Sequence, residues 1–584
     1  MNLPKIYGPG AVMACSGLDS PTDYKHGLVG SLLSDKLGLL FYMTARRELA
    51  FKLNGKCRNI EYKAVTGDVL SADFSDWAGK PGGQFRLVFA DAYTVAGYTG
   101  GGAIPYINAE PDAVLIDSQN GIFHEDPEAS TVLLTRPCGD IMYFAFSTGT
   151  SLVEATKRAR DGLGVDVDKL IRKRLSFFKG AGEGVYDPET YVKALSVLRV
   201  NVCSPEGKIG GGLWTTTNRV PHRNMWLWDS VMHAFGWQYH NPALAVRAIE
   251  AVLDTQREDG FIEHMTGPYD DEIIPNMNNT SPPVVTQPPI LAWGLWNLYS
   301  RSGDKEVLSR NFERLERYLQ WDLKNRDRNG NMLLEWHIEG DPICRSGESG
   351  ADNSARFDAA IPLDAVDFSS FWALDAKALS LMAQELGMDK KMQHWSDLHG
   401  KMSDAVNAIL WDEQDGIYYD RFMDGELTKF KAASCFFPML AGIAPADRAK
   451  RLVHEHLLNP DEFNTVCPFP ADAAGQPEYG TDMWRGGVWL IYNYMLIECL
   501  RRYGYQTEAD SFAYKTLELV ARWYHKDGVL YEFFDSMGQR SPAFLDRKGP
   551  STPPYDLNRK FFCIRDYGWT ASVYITLANE LKKG

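Results

Sequence analysis

Arg345-Ser-Gly-Glu-Ser-Gly-Ala-Asp-Asn-Ser-Ala-Arg-Phe-Asp358 sets three carboxyls, Glu348, Asp352 and Asp358, and two guanidiniums, Arg345 and Arg356, among small residues. Too little of it is apolar to build a core, and Gly and Ser disfavour a regular helix. The stretch therefore reads as a loop rich in groups that give or take protons. Many polar loops are only solvated surface. This one gains meaning from its place in a long connection between two helical patterns.

Those patterns extend in both directions. From about 189 onward the chain predicts helix after helix, near 189–202, 226–238, 243–257, 285–300, 304–324, 364–387, 392–411, 431–441, 446–458, 486–504, 506–525 and 567–582. Connections after the even-numbered helices are short and those after the odd-numbered ones are long. Antiparallel helices with alternating short and long loops describe six hairpins closed in a ring, an (α/α)6 barrel with every long loop at one end. An α-solenoid would show a repeated sequence period, and none is found.

Residues 1–150 predict an N-terminal β-sandwich. Leu39–Met43, Gln84–Phe89, Ala113–Ile116, Thr131–Leu134 and Ile141–Phe146 are short strand-like runs punctuated by Gly, Asp and Pro. Gly97-Tyr-Thr-Gly-Gly-Gly102 reads as a glycine loop. No Lys-Ser or Lys-Thr follows it, so it is not a phosphate-binding loop. Residues 151–185 read as a charged helical linker, and 186–584 as the barrel domain.

A net charge of −15 argues against nucleic acid, anionic membranes and acidic polymers as partners. Aromatics make up 12% of the chain, with 16 Trp, whose flat faces and polar edges suit sugar rings as well as a large core. The nine scattered Cys include no CxxC pair, which favours a reducing, cytoplasmic compartment and speaks against a structural zinc site. The opening Met-Asn-Leu-Pro-Lys leads into no apolar run of signal-peptide length. A secreted or periplasmic location would require a signal removed beforehand.

The long loops carry Trp226-Leu-Trp-Asp-Ser230, Glu263 and His264, Thr286-Gln-Pro-Pro289, Trp336 and Glu339, Asp482-Met-Trp-Arg-Gly-Gly487 and Tyr531-Glu-Phe-Phe-Asp535. In a ring these converge on one funnel, and aromatics with several carboxyls are what a sugar-cleaving site requires. Glycosidic cleavage needs one carboxyl to protonate the leaving oxygen and a second to activate water or attack the sugar. Spacing along the chain does not choose the pair.

Glu348-Ser-Gly-Ala-Asp-Asn-Ser-Ala-Arg-Phe-Asp358 resembles the Glu-Ser-Gly-x-Asp-Asn-Ser-x-Arg-Trp-Asp loop of glycoside hydrolase family 63 and its trehalase-like relatives. The resemblance continues in order through Trp226–Ser230, Thr286–Pro289, Trp484–Trp489 with Asn493, Tyr531–Asp535 and Tyr567–Ala571. It implies Asp352 as general acid, Glu532 as general base, and an inverting, exo-acting α-glycosidase, most simply an α-glucosidase. An α-mannosidase-type or trehalase-type hydrolase on the same barrel is the alternative, as is a non-catalytic carbohydrate-binding protein. Ala351 and Phe357 depart from the family pattern beside the acid.

Trp226, Trp228, Asp229, Gln287, Glu348, Trp484, Arg485 and Trp569 are the candidate substrate-binding residues. Each has a structural alternative where the residues suggest one. Asp229 suits a helix start, Arg485 an ion pair, Glu348 a tether through Arg345, and Gln287 a brace before two prolines. The acid must hold its proton near neutral pH, with Glu348, Asp358 or the aromatic wall as the expected cause. No metal or cofactor is expected. His454-Glu-His456 reads as a solvated helix face, Asp270-Asp-Glu272 lacks metal-site spacing, and Asp412, Asp415 and Asp420 read as turn-formers. An isomerase or lyase on the same barrel would look to His264 or His337 for its base.

Overall fold

The computed structural model describes residues 1–33, 37–42, 47–53, 59–76, 78–108, 115–118, 121–124, 129–269, 285–339, 344–547 and 562–582. Asp270-Asp-Glu272, Met43, Ala113 and Val114 lie outside them.

The first domain is two antiparallel sheets face to face. One runs β1 (Val12–Ala14), β2 (Val29–Leu32), β3 (Gly38–Phe41), β4 (Arg47–Lys52), then β9 (Ile104–Asn108). The other runs β10 (Leu115–Ser118), β11 (Gly121–His124), β12 (Ser130–Cys138), β13 (Ile141–Gly149), β8 (Thr94–Gly100), β7 (Pro81–Phe89), β6 (Val69–Ser75), β5 (Asn59–Thr66). Phenylalanines close the space between them: Phe41 stacks on Phe146 at 5.0 Å, and Phe51 meets Phe85 edge-on at 4.7 Å. Offset and edge-on ring pairs of this kind add to what area burial already contributes.

The expected glycine loop at 97–102 is largely strand. β8 is buried along its whole length between β13 and β7. A Cβ on Gly97 would fall 2.3 Å from the Arg86 carbonyl oxygen and 2.4 Å from the Phe144 ring. Glycine is there because neighbouring groups press on the strand, a reason that turn-based reading misses.

The expected linker is also built in. Helices α1 (Leu152–Leu163) and α2 (Val167–Ser176) lie on the larger sheet, burying Ala155, Ala159, Val167 and Ile171 and leaving their charged faces to solvent.

The second domain is the ring. Among the described residues its outer members are α3 (Pro188–Val200), α5 (Pro242–Leu253), α7 (Lys305–Arg326), α9 (Asp389–Ile409), α11 (Ala446–Arg451, prolonged by a π turn to Leu457) and α13 (Gln506–Asp527). The inner members are α4 (Leu227–Trp237), α6 (Leu291–Ser302), α8 (Val366–Glu385), α10 (Phe437–Leu440), α12 (Leu490–Arg502) and α14 (Gly568–Leu581). Each inner helix packs on the next, and α14 returns to α4. The inner helices α4 and α14 are buried all round, as a closed core demands.

The fourth helix starts later than its apolar pattern suggests. Pro288 and Pro289 supply no N–H, and residues 285–290 stay irregular. The buried start of α6 is satisfied by a neighbour: Ala292 and Trp293 N–H donate to the two oxygens of Asp375 on α8, at 2.9 and 2.7 Å. Burial pushes that carboxyl up to about 8 against these donors.

Candidate active site

Among the described residues the long connections run from each outer helix to the inner helix that follows it, and the short ones from inner to outer. The loop of residues 344–358 leads towards α8, and Tyr531–Asp535 precedes α14. In the cycle α4, α6, α8, α10, α12, α14 these two helices are three places apart, so their loops enter from opposite rims.

Glu348 organises the loop of Asp352 from below. It is fully enclosed and each oxygen takes two donors. Thr286 N–H and Arg326 Nη2 reach Oε1 at 3.0 and 2.6 Å; Arg326 Nε and His337 N–H reach Oε2 at 3.0 and 2.6 Å. Burial pushes the carboxyl up, but the Arg326 charge and these donors outweigh it and hold it below the usual range. With its acceptor sites filled by protein, Glu348 is a tether and not a sugar ligand, and the partner is Arg326 where Arg345 was expected. Arg345 turns instead to Asp358 at 2.8 Å.

Arg485 pairs with both oxygens of Asp358 at 2.8 Å, so this guanidinium also belongs to the scaffold of the loop. Asn353 stitches the loop to the 482–485 segment, its Oδ1 accepting from Trp484 N–H at 3.0 Å. Arg356 lies buried between Asp367 and Asp420, with contacts of 2.6–2.9 Å. Gly350 adopts φ +72, and a Cβ there would sit 2.3 Å from the Trp228 ring. Glycine thus lets the loop rest on the indole.

Asp352 is half-buried above this scaffold, and its backbone carbonyl takes Arg345 N–H at 2.7 Å. Cations hold the expected neighbours Glu348 and Asp358, and the carboxyls on which the charge of Asp352 acts are Asp229 and Glu339. Burial, then the charges of Asp352 and Glu348, push Glu339 up to about 8. Burial pushes Asp229 up to about 7 against the Thr217 hydroxyl, and the charges of Asp352 and Glu532 add to it. Asp229, on the first turn of α4, therefore senses both members of the expected catalytic pair. Its Oδ1 accepts from Thr217 Oγ1, while Oδ2 has no hydrogen-bond partner among the described residues.

Indoles make the floor. Trp228 meets Trp569 edge-on at 5.2 Å, and Trp484 stacks on Trp489 at 3.8 Å. The Nε1–H groups of Trp226, Trp484 and Trp569 are buried with no acceptor among the described residues, although buried donors are nearly always paired. With Asp229 Oδ2 they form a set of polar atoms suited to sugar hydroxyls. Gln287 braces this floor: its Oε1 accepts from Trp228 N–H at 3.3 Å, where α4 has no cap of its own.

Glu532 is enclosed on the opposite rim. Arg547 Nε reaches its two oxygens at 3.1 and 2.9 Å, and Ile564 N–H reaches Oε2 at 3.1 Å. His222, Arg547 and Thr217 are the site residues that sequence reading missed. They stand alone between apolar or loop residues, with no spacing to mark them. His264 stacks edge-on to Trp226 and burial holds it down at about 4, so it is neutral. His337 is also held low by burial. Away from the site, His456 is buried against Glu462 and the Asp415 carbonyl, not solvated, and Lys429 pairs with Asp412 and Asp415. Among the described residues no cluster of His, Cys, Asp and Glu has the form of a metal site.

Residues 222–545 match the mannosylglycerate hydrolase MGH1-like glycoside hydrolase domain. The chain belongs to this family. An MGH1-like domain agrees with the resemblance to glycoside hydrolase family 63, and by family the protein is a glycoside hydrolase. An uncharacterized protein of Borreliella burgdorferi is 28% identical over 264 residues, 44% of this chain; the match spans about half (53%) of that relative's length. The mannosylglycerate hydrolase of Rubrobacter radiotolerans is 24% identical over 408 residues, 56% of this chain and 88% of its own. The structure of a family 63 mannosylglycerate hydrolase from Thermus thermophilus, in complex with Tris and D-glycerate, shares the fold. Its TM-score is 0.53 at 20% identity, over 66% of this chain and 99% of that one.

Proposed function

We propose that this glycoside hydrolase removes a terminal α-linked hexose from a small glycoside with inversion, Asp352 serving as general acid and Glu532 as general base. The observation that carries the reading is Asp229, a buried carboxyl acted on by both Asp352 and Glu532, whose loops enter from opposite rims. Carboxyls on opposite sides of a sugar can protonate the leaving oxygen from one face and activate water on the other. The unpartnered indole N–H groups and Asp229 Oδ2 supply hydroxyl contacts that fix the ring between them.

For the sugar, the sequence resemblance favours glucose. The similarity to mannosylglycerate hydrolases favours a mannoside of a small acid as the second reading. Ala351, set in a tight buried space with Asp472, Trp484 and Tyr492, belongs to the part of the loop that departs from the family pattern. Purified enzyme supplied with α-glucosides, trehalose and mannosylglycerate tests both readings. Release of free hexose from one of them is expected. No release from any would overturn the proposal.

A further inference from the structure

We propose that Arg547 is the positioning residue of the base: it balances the charge of Glu532 and fixes its direction, so that this carboxyl accepts a proton while Asp352 gives one. The inference rests on the assignment of Glu532 as base.

The placement of Arg547 is set by backbone. Glu532 N–H donates to the Ile564 carbonyl at 2.8 Å, and on the other side of that run Cys563 N–H donates to the Leu545 carbonyl at 3.2 Å. Asp546 bridges Phe562. Arg547 follows at once, 3% exposed, and its side chain pairs with Glu532 at 1%. Its Nε spans both carboxyl oxygens, Nη2 lies 3.0 Å from His222 Nε2, and Nη1 has no hydrogen-bond partner among the described residues.

The two rims differ in charge. Asp352 acts on two carboxyls, Glu339 and Asp229. Glu532 faces Asp229 across the site and has Tyr567 and Cys563 packed beside it, both kept neutral by burial. Arg547 supplies the cation. A carboxylate enclosed without a cation is costly, and a guanidinium cannot lose its own proton to relieve the pair. Carboxyls placed in contrasting environments divide into acid and base.

The test is kcat/KM against pH for wild type, Arg547→Gln, Arg547→Lys and Glu532→Gln. The substrate is whichever of α-glucosyl fluoride and α-mannosyl fluoride wild type turns over faster. Fluoride leaves with little help from an acid, so the acid limb reports the base. In Arg547→Gln the limb should move up by about one to two pH units, since an adjacent opposite charge shifts a carboxyl by roughly that much. Arg547→Lys should restore most of the limb while kcat stays down by about 10-fold or more, because the fork that aims Glu532 is gone. A limb unmoved in a folded Arg547→Gln enzyme overturns the proposal. If that variant does not fold by circular dichroism, Arg547→Lys decides: wild-type kcat overturns it. Glu532→Gln with wild-type turnover would overturn the base assignment itself, a result separate from an inactive Glu532→Gln with an unmoved limb in Arg547→Gln.

Discussion

Asp352 and Asp229 differ in what their removal should do. Asp352→Asn should lower turnover on an unactivated glycoside by roughly 10²–10⁴-fold with the fold intact, the usual contribution of a general acid. Steady-state rates and a circular dichroism spectrum check it, and near-wild-type turnover would remove Asp352 from the chemistry. Asp229 carries a stability signature as well. Its carboxyl is raised to about 7 in the folded protein, chiefly by burial, from an ordinary value near 4. The folded state therefore keeps a proton that the unfolded chain loses on going from pH 4 to 7. Native stability from this group is full at the acid end and is lost progressively across that window. Asp229→Asn has no such loss, so its melting temperature relative to wild type should rise between pH 4.5 and 8. A difference independent of pH would contradict the burial. The loop of Asp352 was open to reading at this scale because polar groups in Gly- and Ser-rich company stand out, and the segment of Glu532 because a carboxyl stands among aromatics. Arg547 and His222 were not, because their meaning lies in side-chain contacts between distant segments, Arg547 to Glu532 and to His222.

Elements were easier to read where apolar spacing was dense. The ring's helices, including the buried α4, α12 and α14, follow from their periodicity and from alternating loop lengths. The sandwich was read only in part. Short strands such as β1 and β2 offer three or four residues each, too few to set a period. β8 was hidden by its glycines, whose cause is contact with Phe144 and Arg86 in neighbouring strands. Gly97→Ala should therefore destabilise by about 1–3 kcal/mol, the usual cost of overpacking. Urea denaturation measures it. A loss below about 0.5 kcal/mol would show that Phe144 can move aside. The same change at Gly100, also in β8, whose Cβ position meets nothing nearer than Gln84 Cγ at 3.5 Å, serves as the comparison for backbone conformation alone.

Across the whole molecule, buried charges fasten the sandwich to the ring. Asp19 and Asp68 of the first domain share Arg174 on α2 and Arg199 on α3. Asp566, just before α14, accepts from Val12 N–H at 2.9 Å, from Leu530 N–H at 3.1 Å and from Lys193 Nζ at 2.7 Å. One carboxyl thus joins β1, the segment that leads into Glu532, and α3. Asp566→Ala leaves Lys193 enclosed without a counter-charge and should cost about 3–5 kcal/mol. A loss under about 1 kcal/mol in denaturant unfolding would mean that the two domains hold together without this joint. The sequence pointed to two domains but not to these ties, since nothing in a chain pairs residue 12 with residue 566.

The central claim is that Asp352 and Glu532 work from opposite rims of one ring, with a water between Glu532 and the anomeric carbon. The most direct measurement is the proton NMR spectrum of the hexose in the first minutes of hydrolysis of an α-glycoside, before mutarotation. Inversion predicts the β-anomer first, with the α-anomer appearing only as the sugar equilibrates. An α-anomer as the initial product would contradict the arrangement and make Glu532 a nucleophile or no participant at all.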